Sequence, residues 1–175
     1  MAPPSQIVLE PVTAQHHDAI QELASHPEVA ATTPLPYPYP PDGAASFLAH
    51  ATQARAQGTA YHYAIVEHGR CVGLCGLKDI DATRRAAEAG YWIGRPYWGR
   101  GIATTAMRML LGIARLDLGL RLITAHSLEH NERSVRVLEK LGFRRVRREL
   151  NADRLKVEVE ESHIVFYELD LVPEA

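Results

Sequence analysis

Two glycines that flank an arginine form the stretch whose residue types most directly suggest chemistry. They lie within residues 95–107, RPYWGRGIATTAM, between an apolar segment and a run with helical spacing. The first amides of a helix lack intrahelical partners, and the helix dipole adds positive potential at that end. Glycines allow the backbone to approach a phosphate closely, and Arg100 adds a positive charge. The amides of residues 99–104 are therefore predicted to bind an anion.

The glycine loop by itself leaves the kind of anion open. It is not a Walker motif, because no Gly-Lys-Ser/Thr follows, and it lacks the third glycine of the dinucleotide fingerprint. An ordinary strand-to-helix turn, with glycines for geometry, accounts for the pair equally well. The rest of the chain has to distinguish these interpretations.

The elements around the loop predict one α/β domain, residues 1–175. Hydrophobic periodicity and turn residues predict helices at residues 14–24, 42–58 and 131–143 and after the glycine loop. Strands are predicted at residues 7–12, 60–80 (a hairpin turning near His68), 88–94, 121–128, 143–150 and 162–171. The prolines of residues 32–43 predict a stiff extended loop. This order predicts a mixed, mostly antiparallel sheet of about six to seven strands with helices on both faces.

Composition excludes several classes of protein. The chain has 175 residues and a formal net charge of −2, so nothing global suggests nucleic acid or an anionic membrane as a partner. The sequence shows no signal peptide and no apolar run of membrane-spanning length, and we expect a cytoplasmic protein. Cys71 and Cys75 are too far apart along one strand for a disulfide. The nine histidines show no metal-ligand spacing, so we expect no metal.

Two blocks of the sequence together resemble the GCN5-related N-acetyltransferase (GNAT) superfamily, in particular its ribosomal-protein N-acetyltransferase (RimJ/RimL-type) subgroup. They are YWIGRPYWGRGIATTAM, residues 91–107, and HNERSVRVLEKLGF, residues 130–143. Trp98 departs from the general pyrophosphate-loop pattern, Gln/Arg-x-x-Gly-x-Gly/Ala, but W-G-x-G is usual in the subgroup. The proline-rich residues 35–48 also match, so the resemblance spans essentially the whole chain.

The resemblance implies acetyl-coenzyme A as cosubstrate. The amides of residues 99–104 would bind its pyrophosphate. The strand ending at Ile93 would part from its neighbour, leaving its backbone free for the pantetheine arm and for the thioester carbonyl, with one amide as oxyanion donor. Asn131 would contact the pantetheine arm or a nearby carbonyl. The implied cofactor-binding set is Ile93, Trp98, Gly99, Arg100, Gly101, Ile102, Ala103, Thr104 and Asn131.

Acetyl transfer to an amine requires that the ammonium lose its proton and that the leaving thiolate gain a proton or a hydrogen bond. Glu88, at the start of its strand, is the candidate catalytic base, because the resemblance implies that it lies near the acceptor amine; an inert strand-end glutamate is the alternative. Leu138 stands where many members of the superfamily carry a tyrosine acid. Ser134 would then be the catalytic group near the sulfur, the alternative being an ordinary third position in a capped helix. His62 and His126, lone histidines on strands, are expected to be structural.

The resemblance also implies the acceptor, a protein or peptide N-terminal α-amine. Tyr37 and Tyr39 of the proline loop would shape its binding site. Two alternatives remain open: a small amine, such as a polyamine, an amino acid or an aminoglycoside, and a non-catalytic acyl-coenzyme A sensor. Exposed strand edges in such folds often pair, which makes a homodimer the assembly to test.

Two charged segments can be interpreted either as binding surfaces or as ordinary solvated surface. The four arginines of residues 144–148 could contact the 3′-phosphate of the cofactor or an acidic partner, but a solvated strand face is favoured. The acidic residues 156–162 could attract a cationic amine, with the same alternative.

Overall fold

The structure, a computed structural model, describes residues 6–151 and 162–171. Its strands are β1 (Ile7–Pro11), β2 (Tyr61–Glu67), β3 (Arg70–Asp81), β4 (Ala86–Ile93), β5 (Leu122–Leu128), β6 (Arg144–Leu150) and β7 (His163–Asp170). Its helices are α1 (His17–Ala24), α2 (Pro27–Ala30), α3 (Gly43–Gln57), α4 (Ile102–Leu116) and α5 (Glu132–Lys140).

Local signals end several elements at the predicted positions. Gly58 follows α3 with a left-handed φ of 70°, a conformation that glycine adopts without steric cost. His68 and Gly69 have φ angles of 50° and 75°, as a two-residue hairpin turn requires. The Asn131 side chain caps α5 by accepting a hydrogen bond from the Ser134 amide at 3.4 Å.

The seven strands form one sheet in the order β1-β2-β3-β4-β5-β7-β6. All neighbours are antiparallel except β4 and β5, which are parallel. Strand β7 lies between β5 and β6, an interior position that suits the apolar residues on both of its faces. The predicted fold class, a mixed and mostly antiparallel α/β sheet, is confirmed.

Helices cover both faces of the sheet. Successive side chains of β2 point to opposite faces, and each set enters a different apolar cluster. Tyr63 and Ile65 pack in the cluster that contains the buried stripe of α4, including Met107 and Leu110. Their neighbours Ala64 and Val66 pack with residues of α1 and α3 in the second cluster, which includes Ile20 and Ala44. The glycine loop is therefore carried by a helix fixed on one face, while α1 and α3 border the other.

The structure corrects some predicted boundaries. Strand β4 begins two residues before the strand predicted at residues 88–94, because Ala86 and Ala87 pair with β5. The first predicted helix begins as the 3-10 turn Ala14–His16. Helix α2 was not predicted, since four residues are too few to show a hydrophobic period. Within the described part of the chain, no helix combines the length and the apolar character that a bilayer crossing requires.

Candidate active site

Strands β4 and β5 pair over three residues and then separate. Residues 86–88 are in register with residues 122–124. Beyond this level a cavity of about 700 Å³ lies between the two strands, and the glycine loop and parts of α4 and α5 complete its wall. The separation of the strand that ends at Ile93 agrees with the expectation from the resemblance. It leaves strand backbone facing a cavity instead of a partner.

The backbone groups of β4 that face this cavity follow from its hydrogen bonds to β3. The Gly94 amide donates to the Val72 carbonyl at 2.8 Å, and alternate residues direct their backbone groups to opposite neighbours. The N–H and C=O groups of Tyr91 and Ile93 therefore face the cavity. The expectation that all of this backbone is free needs one correction, because the Ile93 carbonyl accepts a hydrogen bond from Trp98 Nε1 at 2.7 Å. The Tyr91 groups and the Ile93 amide remain available to a ligand.

The start of α4 provides the predicted anion-binding amides. Gly101 is the N-cap, with a left-handed φ of 74°. The amide of Thr105 donates to the Gly101 carbonyl at 3.1 Å, so the preceding three amides come before the first intrahelical hydrogen bond. Those amides belong to Ile102, Ala103 and Thr104, and all three residues line the cavity.

The positive charge at this end of the cavity is distributed differently from the prediction. Arg100 lines the cavity, but its guanidinium lies 2.8 Å from the buried Glu67 carboxylate, which neutralises much of its charge. Arg133 also lines the cavity, and its guanidinium lies 4.5 Å from the centroid of the Trp98 ring. Sequence reasoning missed Arg133, because nothing in the chain order places the first turn of α5 beside Trp98.

Asn131, Ser134 and Leu138 all line the cavity. The Asn131 carbonyl oxygen is used in capping α5, but its amide nitrogen keeps two donors. Leu138 is buried and apolar, so it can donate no hydrogen bond at the position of the usual tyrosine. A different tyrosine supplies a hydroxyl here: Tyr91 of β4 is hydrogen-bonded to Ser134, and burial raises the pKa of that phenol. Sequence reasoning missed Tyr91, because it looked for the tyrosine at a helical position of α5, whereas Tyr91 is placed by the alternation of side chains along β4.

Glu88 lies at the level where β4 and β5 separate, and it has two cationic or protonatable neighbours. Its Oε1 atom is 2.8 Å from Lys78 Nζ on β3 and 3.2 Å from His126 Nδ1 on β5. Burial acts to raise the pKa of Glu88, but hydrogen bonds from His126 and Lys78, together with their charges, lower it to about 2. His126 was expected to be structural; the structure places it at the cavity, beside Glu88.

The α1 and α3 side of the cavity is mostly apolar. Val29, Leu35 and Phe47 line it, together with His62, whose pKa is lowered mainly by burial. Residues 32–35 of the proline-rich loop reach the cavity, whereas the lining does not include Tyr37 or Tyr39. Tyr37 is exposed, and the Tyr39 ring lies against Gly43. The structure therefore does not bring these two tyrosines to the other predicted site residues.

Other candidate groups are inert or already paired. Cys75 lines the cavity, but burial raises the pKa of its thiol to about 12, which leaves it a poor nucleophile. Arg145 and Arg148 both form ion pairs with Glu129. Arg144 and Arg147 pair with other carboxylates on the same surface. The acidic segment of residues 156–162 lies outside the described residues except for Ser162. Within residues 6–151 and 162–171, no group of three or more His, Cys, Asp or Glu side chains could hold a metal ion.

The fold and the cavity define a class of protein: an open mixed sheet, split between the one parallel pair among its described strands, with the unbonded amides of a helix start at the mouth of the split. The model of the acetyltransferase (GNAT) domain family matches residues 6–144. The chain belongs to this family, which confirms the resemblance seen in the sequence.

Curated relatives match the chain in part. The putative ribosomal N-acetyltransferase YdaF of Bacillus subtilis is 37% identical over 75 residues, which are 43% of this chain and 41% of that protein. The uncharacterized N-acetyltransferase p20 of Bacillus licheniformis is 33% identical over 91 residues, 51% of each chain. The chain thus spans about half the length of the curated relatives it matches.

Solved structures match over nearly the whole chain. Spermidine N-acetyltransferase from Vibrio cholerae, in complex with CoA and spermine, has a TM-score of 0.82 and 17% identity, covering 95% of this chain and 96% of that one. RimJ of Mycobacterium smegmatis, in complex with CoA-disulfide, has a TM-score of 0.84 and 22% identity, covering 94% and 81%. At these identities the likeness concerns the fold, and one fold accommodates both a polyamine enzyme and RimJ.

Proposed function

We propose that this chain is an acetyl-coenzyme A-dependent N-acetyltransferase whose acceptor is a protein or peptide N-terminal α-amine. The observation that carries the proposal is the cavity between β4 and β5, with the free amides of α4 at one end and the Glu88 carboxylate at the other. Such a cavity can hold a phosphate-bearing cosubstrate and an amine at the same time, so that acetyl transfer is direct.

The residues at the α4 end fit acetyl-coenzyme A. The amides of Ile102, Ala103 and Thr104 can bind the pyrophosphate at the helix start, and Arg133 supplies a guanidinium beside them. The Asn131 amide nitrogen can donate to the pantetheine arm. A cavity-facing amide of β4, at Tyr91 or Ile93, can hydrogen-bond the thioester carbonyl and stabilise the oxyanion that forms from it.

The two residues predicted to be catalytic, Glu88 and Ser134, belong to opposite sides of the split sheet. Glu88 shares a strand face with Trp92, which packs with the α1 and α3 cluster, and Tyr91 packs with the α4 cluster and bonds to Ser134. The amine loses its proton on the Glu88 side and attacks the thioester carbon. A C–N bond forms and the C–S bond breaks. The leaving thiolate then receives a hydrogen bond or proton on the Ser134 side.

The charge of the cavity favours an acceptor with one amine over a polyamine. Among the described lining residues Glu88 is the only carboxylate, and Lys78 already occupies it. The other charged lining residues are the cations Lys78, Arg100, Arg133 and Arg136. Arg100 and Arg136 are paired with Glu67 and Glu132, so each further ammonium of a polyamine would find no unpaired carboxylate among the described lining residues and would meet the cation Arg133. A peptide N-terminus presents a single cation followed by neutral backbone, which suits the apolar side formed by Leu35 and Phe47.

The test is the release of free thiol from acetyl-coenzyme A with a panel of acceptors. The panel contains lysine-free peptides that begin with Ala, Ser or Thr, the same peptides with a blocked N-terminus, spermidine, free amino acids and an aminoglycoside. A blank without acceptor subtracts the signal of Cys71 and Cys75. We expect turnover with the free peptides and not with the blocked ones.

Other outcomes of the same assay would support the small-amine acceptor or the acyl-coenzyme A sensor instead. Turnover that is restricted to spermidine or another small amine would contradict the peptide acceptor and leave the acetyltransferase in place. Binding of acetyl-coenzyme A, detected as a raised melting temperature, without turnover of any acceptor would favour the sensor. If acetyl-coenzyme A does not bind, the glycine loop is an ordinary strand-to-helix turn.

A further inference from the structure

The contacts of Glu88 conflict with its use as the group that accepts the proton from the amine. Its Oε1 atom is shared between Lys78 and His126, and the pKa of the carboxyl is lowered to about 2 by these partners. Amines ionise with pKa values of roughly 8–10. A carboxylate stabilised to that extent is a very weak base, because a general base works best with a pKa near the operating pH.

His126 has a ring nitrogen that can accept the proton in place of Glu88. It lies on the strand that separates from β4, and its ring lines the same cavity. Nδ1 is the ring nitrogen near Glu88, at 3.2 Å. A carboxylate at this distance favours the tautomer with hydrogen on Nδ1, which leaves the lone pair on Nε2. An imidazole is also the side chain whose ordinary pKa lies nearest the neutral range. The other histidine that lines the cavity, His62, lies on β2.

We propose that His126 Nε2 is the proton acceptor for the acceptor amine, and that Glu88 is a positioning residue that holds the imidazole and stabilises its cation. The proposal rests on the function proposed above and deepens it. A proton passes from the substrate ammonium to Nε2, giving an imidazolium and a neutral amine. The amine lone pair then forms the C–N bond, and the C–S bonding pair leaves with the thiolate. The imidazolium returns its proton to solvent after product release.

The charges around His126 determine how its titration should respond to substitution. Glu88 on β4 favours the imidazolium, and Lys78 on β3 opposes it. On β7 the direct neighbour is Phe166, whose ring lies 5.9 Å from the imidazole ring. Arg147 of β6 lies over that phenyl ring, and Glu168 is one step along the same face of β7. Removal of the Glu88 carboxylate should therefore destabilise the His126 imidazolium.

The first experiment is the pH profile of kcat/KM for the amine that the wild type turns over. We expect an acidic limb in the wild type that His126→Gln abolishes, with kcat/KM lowered by roughly 100-fold and binding of acetyl-coenzyme A unchanged. Glu88→Gln should keep the limb and move it to lower pH, because the imidazolium loses its stabilising carboxylate. His62→Gln is the matched control within the cavity and should keep the limb, and the exposed His50→Gln controls for general effects. A limb that survives in His126→Gln would overturn the proposal.

A second measurement is independent of the acceptor. In the wild-type protein with ¹⁵N-labelled histidine, long-range ¹H–¹⁵N spectra distinguish the two tautomers, and His126→Gln assigns the signal. We expect the Nδ1–H tautomer above the titration of the ring, and loss of that preference in Glu88→Gln. The Nε2–H tautomer in the wild type would overturn the assignment even if acetyl transfer is observed. Absence of turnover with the expected tautomer would instead count against the proposed function and leave this arrangement of the dyad in place.

Discussion

At the scale of single residues, the polar side chains of the site form two groups, one that we propose for the amine and one that we propose for the sulfur. Glu88, Lys78 and His126 form one group, and Ser134 and Tyr91 form the other. The sequence predicted one member of each group, Glu88 and Ser134. Their roles stay predictions, but the structure shows that each has a partner that changes what it can do chemically.

Tyr91 makes the role of Ser134 testable. If the phenol hydroxyl polarises the Ser134 hydroxyl, Tyr91→Phe should lower kcat by about fivefold, the equivalent of one neutral hydrogen bond of about 1 kcal/mol. The Kd for acetyl-coenzyme A should change little. Steady-state kinetics on Tyr91→Phe, Ser134→Ala and the double variant measures this. The double variant should be no slower than Ser134→Ala, because the tyrosine acts through the serine; additive losses would show that the two hydroxyls act separately.

At the scale of elements, α4 and its glycine loop combine a conformational and a steric requirement. Gly101 has a φ of 74° and no heavy atom within 4 Å of an added Cβ, so an alanine there is strained although it has space. Its open side is the cavity, where a ligand would approach the backbone. The glycine is therefore required by the backbone angle and by the ligand, and not by contacts within the protein.

A second glycine of α4, Gly112, serves as the control for Gly101. Gly101→Ala should raise the Kd for acetyl-coenzyme A by roughly tenfold, because the free loop relaxes from the left-handed angle and must recover it to bind, at a cost of about 1–2 kcal/mol for an L-residue. Gly112 lies inside α4, also with no heavy atom within 4 Å of an added Cβ. Gly112→Ala should leave the Kd unchanged and raise the free energy of unfolding by about 0.5–1 kcal/mol. Calorimetric titration and urea unfolding measure both; an equal Kd for the two variants would contradict the assignment of the loop.

At the scale of the whole molecule, the Glu88 carboxylate links three strands of the sheet, so its ionisation should affect global stability. Its pKa is lowered to about 2 in the folded chain from an ordinary value of 4.5. Its contribution is therefore fully present above about pH 4.5 and is lost as the pH falls toward about 2. The partial exposure of the side chain, 23%, limits its size to the order of 1–3 kcal/mol.

Urea unfolding of the wild type and Glu88→Gln between pH 3 and pH 7 measures this contribution. We expect the variant to be less stable at pH 7, and the difference to shrink below pH 4.5. Glu22, an exposed glutamate of α1, supplies the control, since Glu22→Gln should show no such pH dependence. A difference for Glu88→Gln that stays constant down to pH 3 would mean that the carboxylate is not stabilised by its neighbours.

The sequence by itself determined the features that depend on residues close together in the chain. The hairpin at His68 and Gly69, the Asn131 cap and the left-handed turn at Gly101 each rest on a conformational preference within a few positions. The paired family motifs, read in order, also identified the family. For this reason the fold class and the glycine loop at the start of α4 could be predicted without coordinates, while anion binding by that loop stays a prediction.

Only the tertiary structure decided which distant groups meet. Arg100 pairs with Glu67, 33 positions earlier in the chain, and Glu88 meets His126 because β5 pairs with β4 only as far as residue 124. Such contacts depend on strand order and on where two strands separate, and no local preference specifies either. The same packing turned the proline-loop tyrosines away from the cavity and brought Tyr91 to Ser134. The local sequence was thus enough to predict the glycine loop and the family. The assembled sheet determined which charged partners surround each candidate catalytic group.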